Sequence, residues 1–139
     1  MKRILGLMML AFVFLTTPAL AVDLRVMDSA GVEILIKEAS IDYGGILGTD
    51  KETEGIRVSQ GEALVTAKWA DLESLTITGR DAALSRMTVE IAVKSGKKVN
   101  ATLVRKGRMK LVGRSDLGDY SIDLEKIKKV TVVSATPTK

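Results

Sequence analysis

The chain has 139 residues and contains neither histidine nor cysteine. The lack of histidine excludes His-centred general bases and catalytic triads, and the lack of cysteine excludes thiol nucleophiles, disulfides and most zinc sites. The 21 basic residues against 17 acidic ones give a net charge of +4, which by itself indicates no particular partner.

The first 21 residues have the three-part layout of a secretory signal peptide. Met1-Lys2-Arg3 is positively charged, residues 4–15 form an apolar run, and small residues precede a cleavage position after Ala21. The run is too short for a membrane-spanning helix, which needs about 20 apolar residues, and without cysteine it is not a lipoprotein signal. We expect a mature chain of residues 22–139 in the bacterial periplasm, with secretion outside the cell as the alternative.

The mature chain is dominated by apolar and polar residues in strict alternation, which is typical of half-buried strands. Clusters rich in Gly, Ser and Asp separate these segments and predict turns. The pattern predicts ten short strands at 32–37, 40–47, 55–59, 63–69, 74–78, 88–94, 98–105, 108–113, 119–124 and 129–133.

Two stretches of the sequence recur, which indicates an internal repeat. Val32-Glu33-Ile34 recurs as Val89-Glu90-Ile91 after 57 residues, and the pattern of residues 69–77 recurs at 124–132 after 55 residues. In the second pair a short polar segment between two strands predicts one turn of 3₁₀ helix. The repeats also differ in charge, because residues 22–80 carry 6 basic and 11 acidic residues and residues 81–139 carry 13 and 6. We therefore predict a first, acidic β repeat at 22–80 and a second, basic one at 81–139.

Five strands with a 3₁₀ turn before the last one resemble a small SH3-like or Sm-like barrel. The sequence thus predicts an all-β protein, with two pseudo-repeated five-stranded barrels of this kind or, alternatively, one β-sandwich of eight to ten strands. The resemblance implies a fold and no activity.

Three features of the sequence are candidates for a metal site, a catalytic site or a core position. Asp50, Glu52 and Glu54 resemble the start of a calcium loop, but its twelfth position is Gly61, where a bidentate Glu is needed, so we interpret them as a solvated acidic loop and predict no metal site. The Ser-x-x-Lys spacing at residues 95–98 is interpreted as a hairpin tip. Trp69 is predicted to lie in the core, with its indole N–H on a backbone carbonyl.

The densest charge feature is basic, and no acidic residue falls between Ile91 and Ser115. Such a basic face would attract phosphate groups, anionic lipid or an acidic protein surface, although charge runs are usually only solvated. Nucleic acid is not expected, because the protein is exported and has few aromatic residues on which bases could stack. The candidate residues are Lys94, Lys97, Lys98, Arg105, Lys106, Arg108, Lys110 and Arg114.

The sequence favours a non-enzymatic binding or assembly module of the cell envelope, without a cofactor. Its partner is expected to be another envelope protein or a second copy, joined either through the oppositely charged halves or by strand addition at a barrel edge. The alternatives are a periplasmic carrier of lipid or a small ligand, which needs an apolar cavity between the repeats, and a carboxylate-dependent enzyme using Asp116 and Asp119 near Tyr120.

Overall fold

Alternating residues form strands along most of the chain that the computed structural model describes, namely residues 22–44, 50–81, 86–104 and 109–135. In β7, for example, Met87, Val89 and Ile91 are buried while Thr88 is exposed. The prediction of an all-β protein is confirmed, since the described residues contain no α-helix. The strands are β1 (Val22–Asp28), β2 (Glu33–Asp42), β3 (Lys51–Glu52), β4 (Gly55–Gln60), β5 (Ala63–Lys68), β6 (Leu72–Asp81), β7 (Arg86–Val93), β8 (Lys98–Val104), β9 (Lys110–Ser115), β10 (Gly118–Asp123) and β11 (Ile127–Ala135).

These strands join into one curled, half-barrel sheet. Its order is β10-β9-β2-β1-β11-β6-β7-β8-β4-β5, and β3 adds to β2 beside this path. Every pairing is antiparallel. Strands from residues 22–80 and 81–139 are interleaved along the order, so that neither sequence half forms a sheet from its own strands alone.

The sheet can be divided into two five-stranded units whose strand order is mirrored about the β11–β6 pairing. The terminal unit contains β1, β2, β9, β10 and β11, and the central unit contains β4 to β8. They meet where β11 pairs with β6, with Val130 opposite Leu75. On either side, Lys129 faces Thr76 and Thr131 faces Ser74. This register is symmetric about the Leu75–Val130 pair. Residues 74, 75 and 76 correspond to residues 129, 130 and 131, and they pair with them in reverse order.

The correspondence extends to every ladder of the two units. Residues of β1 and β2 correspond to residues 65 positions later in β7 and β8, as Leu24↔Ile36 and Val89↔Ala101 show. Residues of β4, β5 and β6 correspond to residues 55 positions later in β9, β10 and β11. The register shifts of the β1–β11 ladder recur at corresponding positions of the β6–β7 ladder. The two units therefore share strand order and register, and the β1–β11 and β6–β7 ladders share their bulges. The register shift between Lys37 and Ser40 in the β2–β9 ladder has no counterpart in the single pair described for β4 and β8.

The 3₁₀ turns predicted from the sequence are present and correspond to each other. Trp69–Asp71 precedes β6, and Leu124–Lys126 precedes β11. The first turn is anchored by the Trp69 N–H, which donates to the Glu54 carbonyl at 2.9 Å. The second is anchored by the Leu124 N–H, which donates to the Met109 carbonyl at 3.0 Å.

Parts of the predicted strand list are corrected by the structure. β1 and the short β3 were not predicted, and a single β2 that ends at Asp42 replaces the predicted strands 32–37 and 40–47, whose last residues lie outside the described ranges. The 57-residue match pairs strands that do not correspond, since Val89 of β7 takes the place of Leu24 in β1. Period-2 alternation looks alike in many strands, so a short identity does not define which strands are equivalent.

One apolar cluster spans both units, and it contains Trp69, whose side chain is only 1% exposed. The predicted core position of Trp69 is confirmed. Its predicted hydrogen bond is not found, because the buried Nε1 has no hydrogen-bond partner among the described residues. The corresponding residue Leu124 is buried as well, at 4% exposure. Each unit thus places one large side chain of its 3₁₀ turn in the shared core.

Candidate functional site

The basic residues predicted as one face are divided between the two units. Lys94, Lys97 and Lys98 lie at the β7–β8 turn of the central unit, whereas Lys110 and Arg114 lie on β9 of the terminal unit. Strands β8 and β9 are not neighbours in the sheet. The Lys98 Nζ is 3.7 Å from the Glu90 carboxylate, and the Arg114 guanidinium is 3.2 Å from that of Glu38. Arg105, Lys106 and Arg108 lie outside the described residues.

The acidic segment that resembles the start of a calcium loop, and was interpreted as a solvated acidic loop, contacts an arginine. The Arg57 guanidinium donates to Asp50 at 3.0 and 3.3 Å and lies 3.6 Å from the Glu52 carboxylate. The hydrogen bonding of its guanidinium to the Asp50 carboxylate raises the pKa of Arg57. Within the described ranges no group of three or more acidic side chains is placed to hold a metal ion. Glu54 contributes its backbone carbonyl to the first 3₁₀ turn.

The same arginine stacks on Tyr43 where the chain crosses from the terminal to the central unit. The Arg57 guanidinium carbon is 4.4 Å from the centre of the Tyr43 ring, a distance at which cation–π attraction operates. The Tyr43 hydroxyl accepts a hydrogen bond from the Arg57 backbone N–H at 2.8 Å. Burial raises the pKa of Tyr43, although the hydrogen bond from Arg57 opposes this effect. The cluster fastens the crossover segment to β4.

The residues considered for carboxylate chemistry lie on the exposed β9–β10 hairpin. Asp116 and Asp119 are both exposed, and Tyr120 is partly buried. Burial is the main cause that raises the pKa of Tyr120, and the Asp28 carboxylate adds to it. The Ser-x-x-Lys segment forms the turn between β7 and β8, as its interpretation as a hairpin tip predicted.

The sequence did not predict an open cavity of about 250 Å³ inside the central unit. All five strands of that unit contribute to its wall, which is mostly apolar and carries Lys68 and Asp71 as charged lining residues. Its apolar lining includes Val58, Val65, Ala67, Leu72, Ile91 and Ala101.

The terminal unit has larger side chains at several corresponding positions. Tyr120 corresponds to Val65, Ile122 to Ala67, Ile34 to Val99 and Ile36 to Ala101. All four larger side chains are in the core or packed against it. Other exchanges run the other way, because Gly113, Ser115 and Val26 stand where the central unit has Val58, Gln60 and Ile91. The side chains at corresponding positions thus differ in volume in both directions.

The cavity lies beside β5, which is an edge strand of the sheet. Among the described residues β5 pairs with β4 only. Leu64 is 72% exposed and Val65 is 39% exposed, although they point to opposite faces. Edge strands are commonly protected by charged residues, because an unprotected one invites another strand to pair with it. The opposite edge, β10, carries Asp119 and Asp123, whereas Lys68 is the only charged residue of β5.

The cavity and the β5 edge were missed because no sequence motif indicates either of them. The sequence Ala63-Leu64-Val65-Thr66-Ala67 has apolar residues on both faces of a strand, and this was the one available signal. It did not show that the strand lies at an edge, since the edge position follows from long-range pairing.

Comparison with protein-family models finds no match for this chain, and searches against curated proteins and solved structures find none either. No described segment is a helix of sufficient length and apolarity to cross a membrane.

Proposed function

We propose that the chain is an exported, non-enzymatic binding or assembly module of the bacterial cell envelope, and that its binding site is the central-unit cavity together with the β5 edge. The observation that carries this proposal is the combination of an unprotected apolar edge strand with an open apolar cavity directly beneath it. Both features occur in the central unit, and the other edge strand, β10, carries Asp119 and Asp123.

The geometry suits binding by strand addition. In this mode the backbone of an added strand supplies hydrogen bonds along the edge, and alternate side chains of that strand enter pockets that give specificity. Ala63, Val65 and Ala67 face the cavity side of β5, because they stand opposite Gln60, Val58 and Ile56 of β4. An added strand would direct every second side chain to the same side.

The size of the cavity supports a side-chain anchor over a carrier function. Pockets that enclose drug-sized ligands usually have 300–1,000 Å³, and this open cavity has about 250 Å³. A carrier of a small apolar molecule is the second candidate, and the apolar cavity is the observation in its favour. The cavity lies inside one unit and not between the two, which is where a carrier was expected to have it. Native mass spectrometry of the purified protein tests it, and a co-purifying small molecule lost in the Val65→Tyr/Ala67→Ile variant would favour the carrier.

The resemblance of each unit to an SH3-like or Sm-like barrel is part of the same proposal. Support comes from the five strands of each unit and from the 3₁₀ turn that precedes β6 and β11. The signal peptide predicted at residues 1–21 supports export, and cell fractionation with N-terminal sequencing of the mature protein tests it. An uncut chain in the cytoplasm would contradict this part.

Site-specific photo-crosslinking in living cells tests the binding site. The full chain carries a photoreactive residue at Leu64, and a matched control carries it at Asp119, the corresponding position of β10. We expect a protein adduct of defined mass from position 64 only. The adduct should disappear in the Val65→Tyr/Ala67→Ile variant, which carries the larger side chains of the terminal unit at these two positions. Equal adducts from both positions, or none from position 64, would contradict the proposal.

A further inference from the structure

We propose that the strand added at the β5 edge is β5 of a second copy of this chain, paired antiparallel about a two-fold axis at Val65. This inference rests on the proposed function of the edge and names its partner. It predicts a closed dimer in which the two central units stand side by side.

The register follows from charge complementarity. In an antiparallel pairing centred on Val65, Glu62 of one copy stands opposite Lys68 of the other, and the two-fold axis creates this pair twice. Glu62 precedes β5 and Lys68 ends it, and both side chains are exposed. Neither is in an ion pair with another described residue. Opposite charges in direct cross-strand pairs stabilise a pairing and like charges destabilise it.

The alternation of side chains is consistent with the same register. Glu62, Leu64, Thr66 and Lys68 would alternate with Ala63, Val65 and Ala67, although Thr66 and Lys68 also border the open cavity. Each exposed Leu64 would stand opposite a Thr66 of the second copy. On the inner face Val65 would meet its own counterpart, and the open side of each cavity would gain the wall of the other copy. A slip by one residue removes both Glu62–Lys68 pairs, because the symmetric pairs then fall on other residues.

The molecule already contains a pairing of this kind. At its centre β6 and β11 are equivalent strands of the two units, and they pair antiparallel with Leu75 opposite its equivalent Val130. The proposed β5 pairing repeats this arrangement between two copies instead of within one. Such an interface is isologous, so it closes at two copies.

The opposite edge lacks the features that this register requires. Leu117 and Asp123 of the β9–β10 hairpin correspond to Glu62 and Lys68, so an equivalent β10 pairing would place a leucine opposite an aspartate. Asp119 replaces the exposed Leu64. Without a second self-complementary edge, association through β5 ends at the dimer and forms no filament.

Charge reversal tests the pairing in solution. Protein purified from cells that express the full chain is measured by light scattering over a concentration series. We expect the mass of two chains, with dissociation favoured by salt because exposed charges are screened. Glu62→Lys opposes two lysines at each end of the pairing, and Lys68→Glu opposes two glutamates. The association constant of each single variant should fall by at least about tenfold.

Two combinations make the test specific. An equimolar mixture of the Glu62→Lys and Lys68→Glu proteins should form a heterodimer, because every opposed pair is then complementary, and the double variant should recover the original dimer. Asp123→Lys on the other edge is the control and should leave the mass unchanged. A monomer at all concentrations, or a dimer unaffected by either reversal, would overturn this inference. The crosslinking experiment separates the two proposals, since a position-64 adduct with a different protein would retain the binding site and reject self-pairing.

Discussion

The terminal and central units have the same strand order, register and 3₁₀ turns, but they differ in what fills the space between their strands. Val65 and Ala67 line the cavity of the central unit, whereas Tyr120 and Ile122, at the corresponding positions of the terminal unit, pack against the core. The edges differ too, since β10 carries two aspartates and β5 is apolar except for Lys68. The same strand order and register thus carry different side chains in the two units.

Charge gives a second lesson from the same comparison. The sequence halves are acidic and basic, but residues 22–44 and 109–135, which include the terminal unit, carry 7 basic and 9 acidic residues. Residues 50–81 and 86–104, which include β3 and the central unit, carry 8 of each. The strands of the two halves interleave, so the contrast along the chain is not a contrast between two ends of the molecule. Assembly through oppositely charged halves therefore gains no support from the fold.

The largest effects are expected in the shared core, where the large side chain of either 3₁₀ turn can be removed. Trp69→Ala should lower the free energy of unfolding by about 3–5 kcal/mol, and Leu124→Ala, at the corresponding position, by about 2–5 kcal/mol. Both side chains belong to one cluster, so each variant should shift a single cooperative urea transition. Two separate transitions, one for each unit, would contradict a shared core.

A smaller effect is expected at Gly113 of β9, which lies close to Ile36 of the neighbouring strand β2. A Cβ on Gly113 would lie 2.3 Å from the Ile36 Cγ2 and 2.8 Å from the Lys37 carbonyl oxygen. Gly113→Val should therefore destabilise the protein by about 1–3 kcal/mol through overpacking.

A double-mutant cycle then sharpens the comparison, because the central unit has Val58 and Ala101 at the positions of Gly113 and Ile36. Combining Gly113→Val with Ile36→Ala copies that pair and should cost less than the sum of the single changes. Strict additivity in urea denaturation would show that the volume exchange does not couple the two sites.

The smallest effect concerns the cluster of Tyr43, Arg57 and Asp50, where the chain crosses from the terminal to the central unit. The described residues at the crossover from β8 to β9 form no such cluster. Tyr43→Phe removes the acceptor of the Arg57 N–H and should cost about 1 kcal/mol at neutral pH. Burial raises the pKa of Tyr43 above its ordinary value of about 10, so the unfolded chain ionises first as the pH rises. The stability contributed by the neutral phenol is complete below that value and is lost as the pH rises through the raised pKa.

Urea unfolding between neutral and alkaline pH measures this difference. The wild-type protein should lose more stability than the Tyr43→Phe variant as the pH rises, and Tyr120→Phe serves as the matched control for a second tyrosine whose pKa burial raises. An identical pH dependence of the wild-type and Tyr43→Phe proteins would show that the ionisation of Tyr43 is not coupled to folding.

Local pattern was sufficient for much of the secondary structure. The strands from β4 onward were predicted within a few residues, and so were both 3₁₀ turns and the buried Trp69. β1 was missed because its alternation spans only a few residues directly after the predicted signal peptide. The candidate site was missed for another reason. A cavity arises from side chains on five strands, and an edge strand is recognised only when the pairing of the whole sheet is known.

The sequence by itself determined the all-β class and the absence of histidine and cysteine chemistry, because alternation and composition are local properties. Only the tertiary structure decided which strands are neighbours. Antiparallel pairing between distant segments placed β2 beside β9 and β8 beside β4, which interleaved the two halves and left β5 at an edge. Many strands with similar alternation can pair in several ways, and the burial of a common core selects among them.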